Sequence, residues 1–343
     1  MTEKELKDSV KSPTGGYFFF GEEDYLKEYY MSLIRRAVIT DESLAVFNEI
    51  TFDDSNFSVP SLSDALSSPP LMSEKKLVKV ILSAYSVIPE RERKAFFATL
   101  DSVPDFPETV LVITVSPGGF DAGTEKRPSP AMKALSAHIK CTDFPLQTEA
   151  KLTKWLARRF AKYELASDEA SLRLMISMCG RSMHRLAGET DKTAAYALAA
   201  GNEAIDCDTV KAAVTRTPEE DAFRLANSLL AGDRAAALDS LSGSKRRGEN
   251  PVRLLASVTA VFCDMAAISH MVHAGADRRT IASALKIHEY RVGLYMKAVN
   301  GVKPEVLDDA LSMCAEADVK MKSTPLGYIP LERLICSVMR ERR

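Results

Sequence analysis

The run Thr109-Val110-Leu111-Val112-Ile113-Thr114-Val115 constrains the fold more than any other stretch, because it offers almost no position that could face water. A strand of this kind is buried on both faces, as central strands of parallel sheets are. Parallel neighbours must be joined by long crossovers, usually helices. The chain up to about Leu146 supplies both parts. Further strands are expected at Tyr17 to Phe20, Phe47 to Phe52, Lys76 to Leu82 and Ile139 to Phe144. Helices are expected at Glu23 to Val38, Leu62 to Ser67, Pro89 to Leu100 and Met132 to Ala137, with a Gly- and Pro-rich loop over Pro117 to Pro130. Five strands with intervening helices predict a three-layer α/β domain with a mostly parallel sheet.

Beyond Pro145 the pattern turns helical and offers no convincing strand. Thr148 caps a helix to about Tyr163 with Leu152, Leu156 and Phe160 on its apolar stripe. Ser167 is expected to cap the next helix, which stops at Gly180; Ser182 to Ala200 and Asp206 to Val214 follow. Thr217-Pro218-Glu219-Glu220 then reads as a capping box with Pro at the first helical position. It opens a second helical unit with helices near Glu219 to Leu230, Asp233 to Leu241, Pro251 to His273, Arg278 to Leu285, His288 to Val299, Pro304 to Met321 and Leu331 to Arg340. The expected division is 1–146, 147–215 and 216–343, an α/β domain followed by two all-α domains.

Composition narrows the partners. A chain of 343 residues with a formal charge of -2 is not held to nucleic acid by bulk charge, although a local patch on Lys151, Lys154, Arg158 and Lys162 lies along one helical face. That face is either solvated or directed at DNA. The basic segment Ser244 to Gly248 reads as a solvated loop, with a phosphate contact as the alternative. No run of some 18 apolar residues occurs and the N-terminus is charged, so a cytoplasmic protein without a membrane is expected. The six cysteines stand singly, most of them in apolar periodic segments where Cys acts as a small core residue. His270 and His273 lack companions at a convincing ligand spacing, so no metal is expected.

The most informative loop follows the first strand. Gly21-Glu22-Glu23-Asp24-Tyr25-Leu26-Lys27-Glu28 sits where a phosphate loop sits, between a strand and a helix. Laid on G-x-x-x-x-G-K-[ST], it keeps Gly21 and Lys27 but has Leu26 for the second Gly and Glu28 for the hydroxyl residue. A carboxylate about 4 Å from a phosphate charge costs on the order of 4 kcal/mol at an effective dielectric near 20. Three acids in the loop outweigh one Lys even after discounting for water, whereas in a helix's first turn they complement its dipole. The strand Lys76 to Leu82 runs into Ser83-Ala84-Tyr85 with no acidic pair to hold magnesium. In ATPases of this architecture the small helical domain supplies an Arg, and here Gly180-Arg181-Ser182-Met183-His184-Arg185 places His184 there, with Arg185 beside it. No Ser-Arg-Cys trans finger and no catalytic constellation is found. No catalysis and no bound cofactor are expected.

Ser68-Pro69-Pro70-Leu71-Met72-Ser73-Glu74-Lys75 is unusual in another way. Two prolines prevent a regular strand ahead of a large apolar pair, and polar residues follow at once. Either Leu71 and Met72 tuck under the sheet as core, or they form an exposed plug for a partner's pocket.

These segments together give a family likeness over almost the whole chain. Phe19 to Leu26, Pro70 to Val80, the Gly180 to Lys192 segment with Arg185, Leu186, Glu189 and Lys192, His288 to Val292, and Ala317 to Lys322 resemble, in order and spacing, the delta subunits of bacterial DNA polymerase III clamp loaders. Glu289 stands where that family commonly has Pro, and Met72 where it commonly has Phe. The resemblance implies an AAA+-like α/β domain, a helical lid and a helical collar that joins gamma/tau and delta-prime subunits in a pentamer. It implies a subunit of the holoenzyme that does not hydrolyse ATP. It further implies that Pro70, Leu71 and Met72 engage the sliding clamp (the beta subunit), and that the delta subunit holds one ring interface open for loading onto primed DNA. On the residues alone, an active AAA+ ATPase with a divergent loop and a helical scaffold for an unrelated partner stay open.

Overall fold

The computed structural model describes residues 1–124, 126–287 and 289–338. The chain divides into two compact units: residues 1–176 with 181–209, and residues 177–180 with 210–343.

The first unit is built on five strands: β1 (Gly15–Phe20), β2 (Glu49–Asp53), β3 (Lys76–Leu82), β4 (Thr109–Val115) and, after a two-residue hairpin of β5 (Gly123–Thr124) and β6 (Arg127–Pro128), β7 (Lys140–Asp143). Their order across the sheet is β2-β3-β4-β1-β7, and all four pairings are parallel. β4 is buried at every position because it lies in the middle of a sheet covered on both sides. Alternation along β1 shows the two faces. Tyr17 and Phe19 join a core with Val110, Val112 and Leu77, covered by α1 (Glu3–Ser9) and α2 (Asp24–Val38) through Leu6, Tyr30, Ile34 and Val38. Phe18 and Phe20 join the opposite core with Val78, Val80, Leu111, Ile113 and Val115. That face is covered by Leu62 and Leu66 of α4 (Val59–Ser67), Phe96 and Leu100 of α5 (Arg93–Asp101) and Leu135 of α6 (Pro130–His138).

Several boundaries differ from the sequence reading for local reasons. Phe47 and Asn48 belong to a one-turn helix, α3 (Ala45–Asn48), and the edge strand β2 starts only at Glu49. Helix α4 begins three residues earlier than expected, because the Ser58 hydroxyl accepts from the Ser61 amide and Pro60 fits a first turn. The remaining helices of the unit are α7 (Glu149–Ala161), α8 (Glu169–Cys179), whose residues 177–179 fall in the second unit, α9 (Met183–Ala199) and the start of α10 (Cys207–Ala213). Asp168 caps α8 by accepting from the Ser171 amide at 2.6 Å, so Ser167 is not the cap. Ser167 instead lies in β8 (Ala166–Ser167), which pairs in parallel with β9 (Ala204–Ile205), a short strand pair in a region expected to have none.

The second unit is helical: α11 (Pro218–Ala231), α12 (Arg234–Arg246), α13 (Pro251–His273), α14 (Arg278–Leu285), α15 (Glu289–Val299), α16 (Pro304–Ser323) and α17 (Ile329–Val338). His288, expected to begin a helix, and residues 339–340, expected to end one, lie outside the described residues. Helix α13 packs against α11, α15 and α16 through Leu255, Val258, Phe262 and Met265. Among the described residues it is the one helix long and apolar enough to cross a membrane, but half of its most apolar window is buried, as in a core helix. The segment from Ser244 is not a free loop. α12 continues through Arg246, Ser244 is buried, Lys245 pairs with Glu332, and Arg247 pairs with the buried Asp221. Cys141, Cys179 and Cys314 are buried, but Cys263 and Cys336 are exposed and Cys207 is half-buried, so only some cysteines are core residues.

Candidate functional site

The turn after β1 is closed by backbone and by a lysine. Gly21 has φ of +102°, and a Cβ there would come within 2.5 Å of Asp143 Oδ1 and 2.6 Å of the Phe144 carbonyl oxygen. The Glu23 amide donates to that same carbonyl at 2.9 Å. Glycine is therefore required for close approach to the end of β7. Lys27 is 1% exposed. Its Nζ donates to the carbonyls of Gly21 at 2.9 Å and Val115 at 2.6 Å, and pairs with Asp24 Oδ1 at 2.7 Å. An ammonium has three protons, so these three oxygens use all of them and leave none for a phosphate.

The acids fall into place around this anchor. Asp24 opens α2 and neutralises Lys27. Glu23 is 3% exposed, and burial holds its carboxyl above the usual range against the opposing pull of the Tyr25 amide and of His184. Burial and the nearby Glu22 raise Asp143 as well, with Lys27 opposing. Glu28 stands 3.4 Å from His184 Nε2, and the His184 ring meets Tyr25 edge-on at 5.3 Å. Where an ATPase of this shape needs a cation facing phosphate, His184 is thus turned to a carboxylate and an aromatic ring. Leu26 is half-buried against the core of the α2 face.

The segment after α4 is organised differently. Leu71 is 49% exposed and Met72 86% exposed, so the pair does not tuck under the sheet. Pro70 before them is half-buried, and Met72 holds φ of +52°, a conformation that non-glycine residues seldom adopt. Asn48 is buried and bonds to the Leu71 backbone in both directions, at 2.8 Å each. Val46 and Phe47, just before Asn48, are also exposed. An apolar residue left in water forfeits roughly 1.5 to 3 kcal/mol that burial would return. Sequence reasoning gave neither Asn48 nor the buried Lys76 a role in holding this segment, because each stands beside a charged residue, Glu49 and Lys75, and reads as surface.

Lys151, Lys154, Arg158 and Lys162 are all exposed along α7, and none has a carboxylate within ion-pair distance among the described residues. Lys151, Lys154 and Arg158 share with Trp155 the wall of a groove of about 230 Å³. Trp155 packs edge-on against Tyr25 at 5.4 Å, and Arg159 is tied to Asp191 at 2.7 Å instead of facing solvent with the other four. Among the described residues no group of three His, Cys, Asp or Glu side chains converges as a metal site would require.

Known proteins resemble this chain in sequence and in fold. A solved structure, the Bacillus subtilis DNA clamp loader delta protein, matches with a TM-score of 0.74 at 21% identity, covering 98% of this chain and 99% of that one. The fold is accordingly the one that protein has, an α/β unit followed by helices. The sequence profile for the C-terminal domain of the DNA polymerase III delta subunit matches residues 219–335. The DNA polymerase III subunit delta of Bacillus subtilis (strain 168) is 23% identical over 325 residues, covering 93% of this chain and 90% of that relative. The chain is thus similar over most of its length to a DNA polymerase III delta subunit, and its residues 219–335 match that subunit's C-terminal domain.

Proposed function

We propose that this chain binds the sliding clamp through Pro70, Leu71 and Met72, holds one interface of the ring open during loading onto primed DNA, and does not itself hydrolyse ATP. The observation that carries the reading is the exposure of Leu71 and Met72 at 49% and 86% on a loop fixed by buried polar side chains. Seating both in an apolar pocket is worth on the order of 3 to 5 kcal/mol, which is roughly a hundred- to several-thousandfold in affinity. Met suits such a pocket because its thioether chain adapts to irregular shape. A partner opens a ring only by binding the open state better than the closed one, so the plug supplies anchorage and the rest of the contact supplies the preference.

The absence of hydrolysis is supported by Lys27, whose protons are all accepted by protein oxygens, and by Glu23 and Glu28 in the loop. The chain would act within a pentamer with gamma/tau and delta-prime subunits, with the domain division 1–146, 147–215 and 216–343 and the last part as collar. It would work in the cytoplasm, with Lys151, Lys154, Arg158 and Lys162 turned to the DNA that passes through the assembly. Gel filtration of the purified chain with the organism's clamp tests the reading. Co-elution without nucleotide is expected; separate elution at micromolar concentrations refutes it. Tight binding of a labelled ATP analogue, lost on Lys27→Ala, would favour an active ATPase instead.

A further inference from the structure

The loop bearing Leu71 and Met72 is gripped by side chains that lie outside it in sequence. Asn48 is 1% exposed, and its carboxamide Nδ2 donates to the Leu71 carbonyl and its Oδ1 accepts from the Leu71 amide, both at 2.8 Å. The second Nδ2 proton reaches the Leu44 carbonyl at 3.2 Å. A carboxamide that meets a backbone N–H and C=O of one residue imitates a neighbouring strand. With both backbone groups of Leu71 taken, that residue cannot turn inward without breaking two bonds. The second grip is Lys76, also 1% exposed, at the start of β3. Its Nζ donates to the Ala65 carbonyl at 2.5 Å, to the Ser68 hydroxyl at 2.9 Å and to the Ser68 carbonyl. It thus closes the C-terminal end of α4, where the helix dipole favours a cation, and fixes the residue from which the loop departs. Between the two grips stands Met72 with its positive φ, a conformation that a free loop would relax.

We propose that Asn48 and Lys76 are positioning residues that keep Leu71 and Met72 displayed before the partner arrives. The loop then docks preorganised instead of ordering on contact. This rests on the clamp-binding reading, and the physical logic is one of population. If only a fraction of molecules displays the pair, the apparent dissociation constant rises by the inverse of that fraction. Two neutral hydrogen bonds of ordinary strength correspond to roughly a ten- to thirtyfold change in that fraction. Because the loss falls on the competent population, it appears in the association rate and leaves dissociation of the seated plug nearly unchanged.

The test is surface plasmon resonance of the full chain against the purified clamp, with wild type, Asn48→Ala, Lys76→Met and the double variant Leu71→Ala/Met72→Ala. Hydrogen exchange at the Leu71 amide and thermal melting are measured alongside. Asn48→Ala is expected to slow association about tenfold, to change dissociation less than about threefold, and to speed Leu71 exchange with little change in melting. Lys76→Met is expected to act in the same direction. If the double variant binds as well as wild type, the clamp-binding reading itself fails. If the double variant loses binding while Asn48→Ala and Lys76→Met associate at the wild-type rate, only the positioning role is overturned. Should neither single variant fold, a wild-type Leu71 amide that exchanges as fast as an unstructured peptide overturns it equally.

Discussion

Replacing Lys27 with Met separates a structural lysine from a nucleotide ligand. The Met side chain keeps most of the aliphatic stem, so the perturbation is the loss of three hydrogen-bonded contacts: the carbonyls of Gly21 and Val115, and Asp24. Asp24 is 44% exposed and water can replace its partner, so its share is small. The two carbonyls face a site where Lys27 is 1% exposed, and each one left without a donor costs about 1 to 3 kcal/mol. The sum is on the order of 3 kcal/mol. For a unit of this size that is a fall of roughly 6 to 12 °C in melting temperature. The assay is convenient because the chain has a single Trp, Trp155, which lies in the first unit and reports its unfolding by fluorescence. Isothermal titration with magnesium ATP accompanies it and is expected to give no heat of specific binding for wild type or variant. The reasoning is refuted if Lys27→Met melts like wild type while abolishing a measurable ATP affinity, the signature of a lysine reserved for phosphate.

Other consequences are as specific. Gly21→Ala forces a Cβ to within 2.5 Å of Asp143 Oδ1 at a φ of +102°, so it should destabilise the first unit by about 2 kcal/mol or more, read from the same fluorescence transition. Glu23 has a raised pKa, so the folded unit holds its proton more tightly than the unfolded chain, and its ionisation weakens the fold as pH climbs from about 4.5 through the raised value. Glu23→Gln should remove that slope and leave the unit more stable than wild type at neutral pH, which denaturant titrations at several pH values will check. Changing Lys151, Lys154, Arg158 and Lys162 together to Ala should leave clamp binding intact. In the assembled loader it should weaken binding to primed DNA and reduce the slope of log K against log salt by roughly 0.9 for each phosphate contact removed; an unchanged slope marks a merely solvated face.

Most of the architecture was legible because it depends on patterns that burial enforces. The all-apolar Thr109–Val115 could only be a strand covered on both sides, and alternation in Tyr17 to Phe20 serves two cores at once. Asn250-Pro251 marks the start of α13 correctly, since the Asn side chain accepts from the Val252 and Arg253 amides. What misled were places where tertiary contact overrides local pattern. Phe47-Asn48 continues the alternation of β2, yet Asn48 is drawn into a helical turn and spent on Leu71, 23 residues away. Ser244 to Arg247 reads as a charged loop because the buried partner of Arg247, Asp221, is remote in sequence. Lys27 could be seen as a misplaced phosphate ligand, but its acceptor at Val115 is 88 residues distant and invisible to any local reading. The exposure of Leu71 and Met72 was likewise undetermined, since two prolines before an apolar pair suit a buried corner and a displayed plug equally well.

Opening of the clamp itself is the most direct measurement of the central claim. A purified clamp carrying a self-quenching fluorophore pair across one ring interface is titrated with the chain in the absence of nucleotide. Wild type is expected to relieve the quenching to saturation, and Leu71→Ala/Met72→Ala to leave it unchanged at the same concentrations while melting like wild type. No change with wild type, or equal relief by the double variant, would contradict the account.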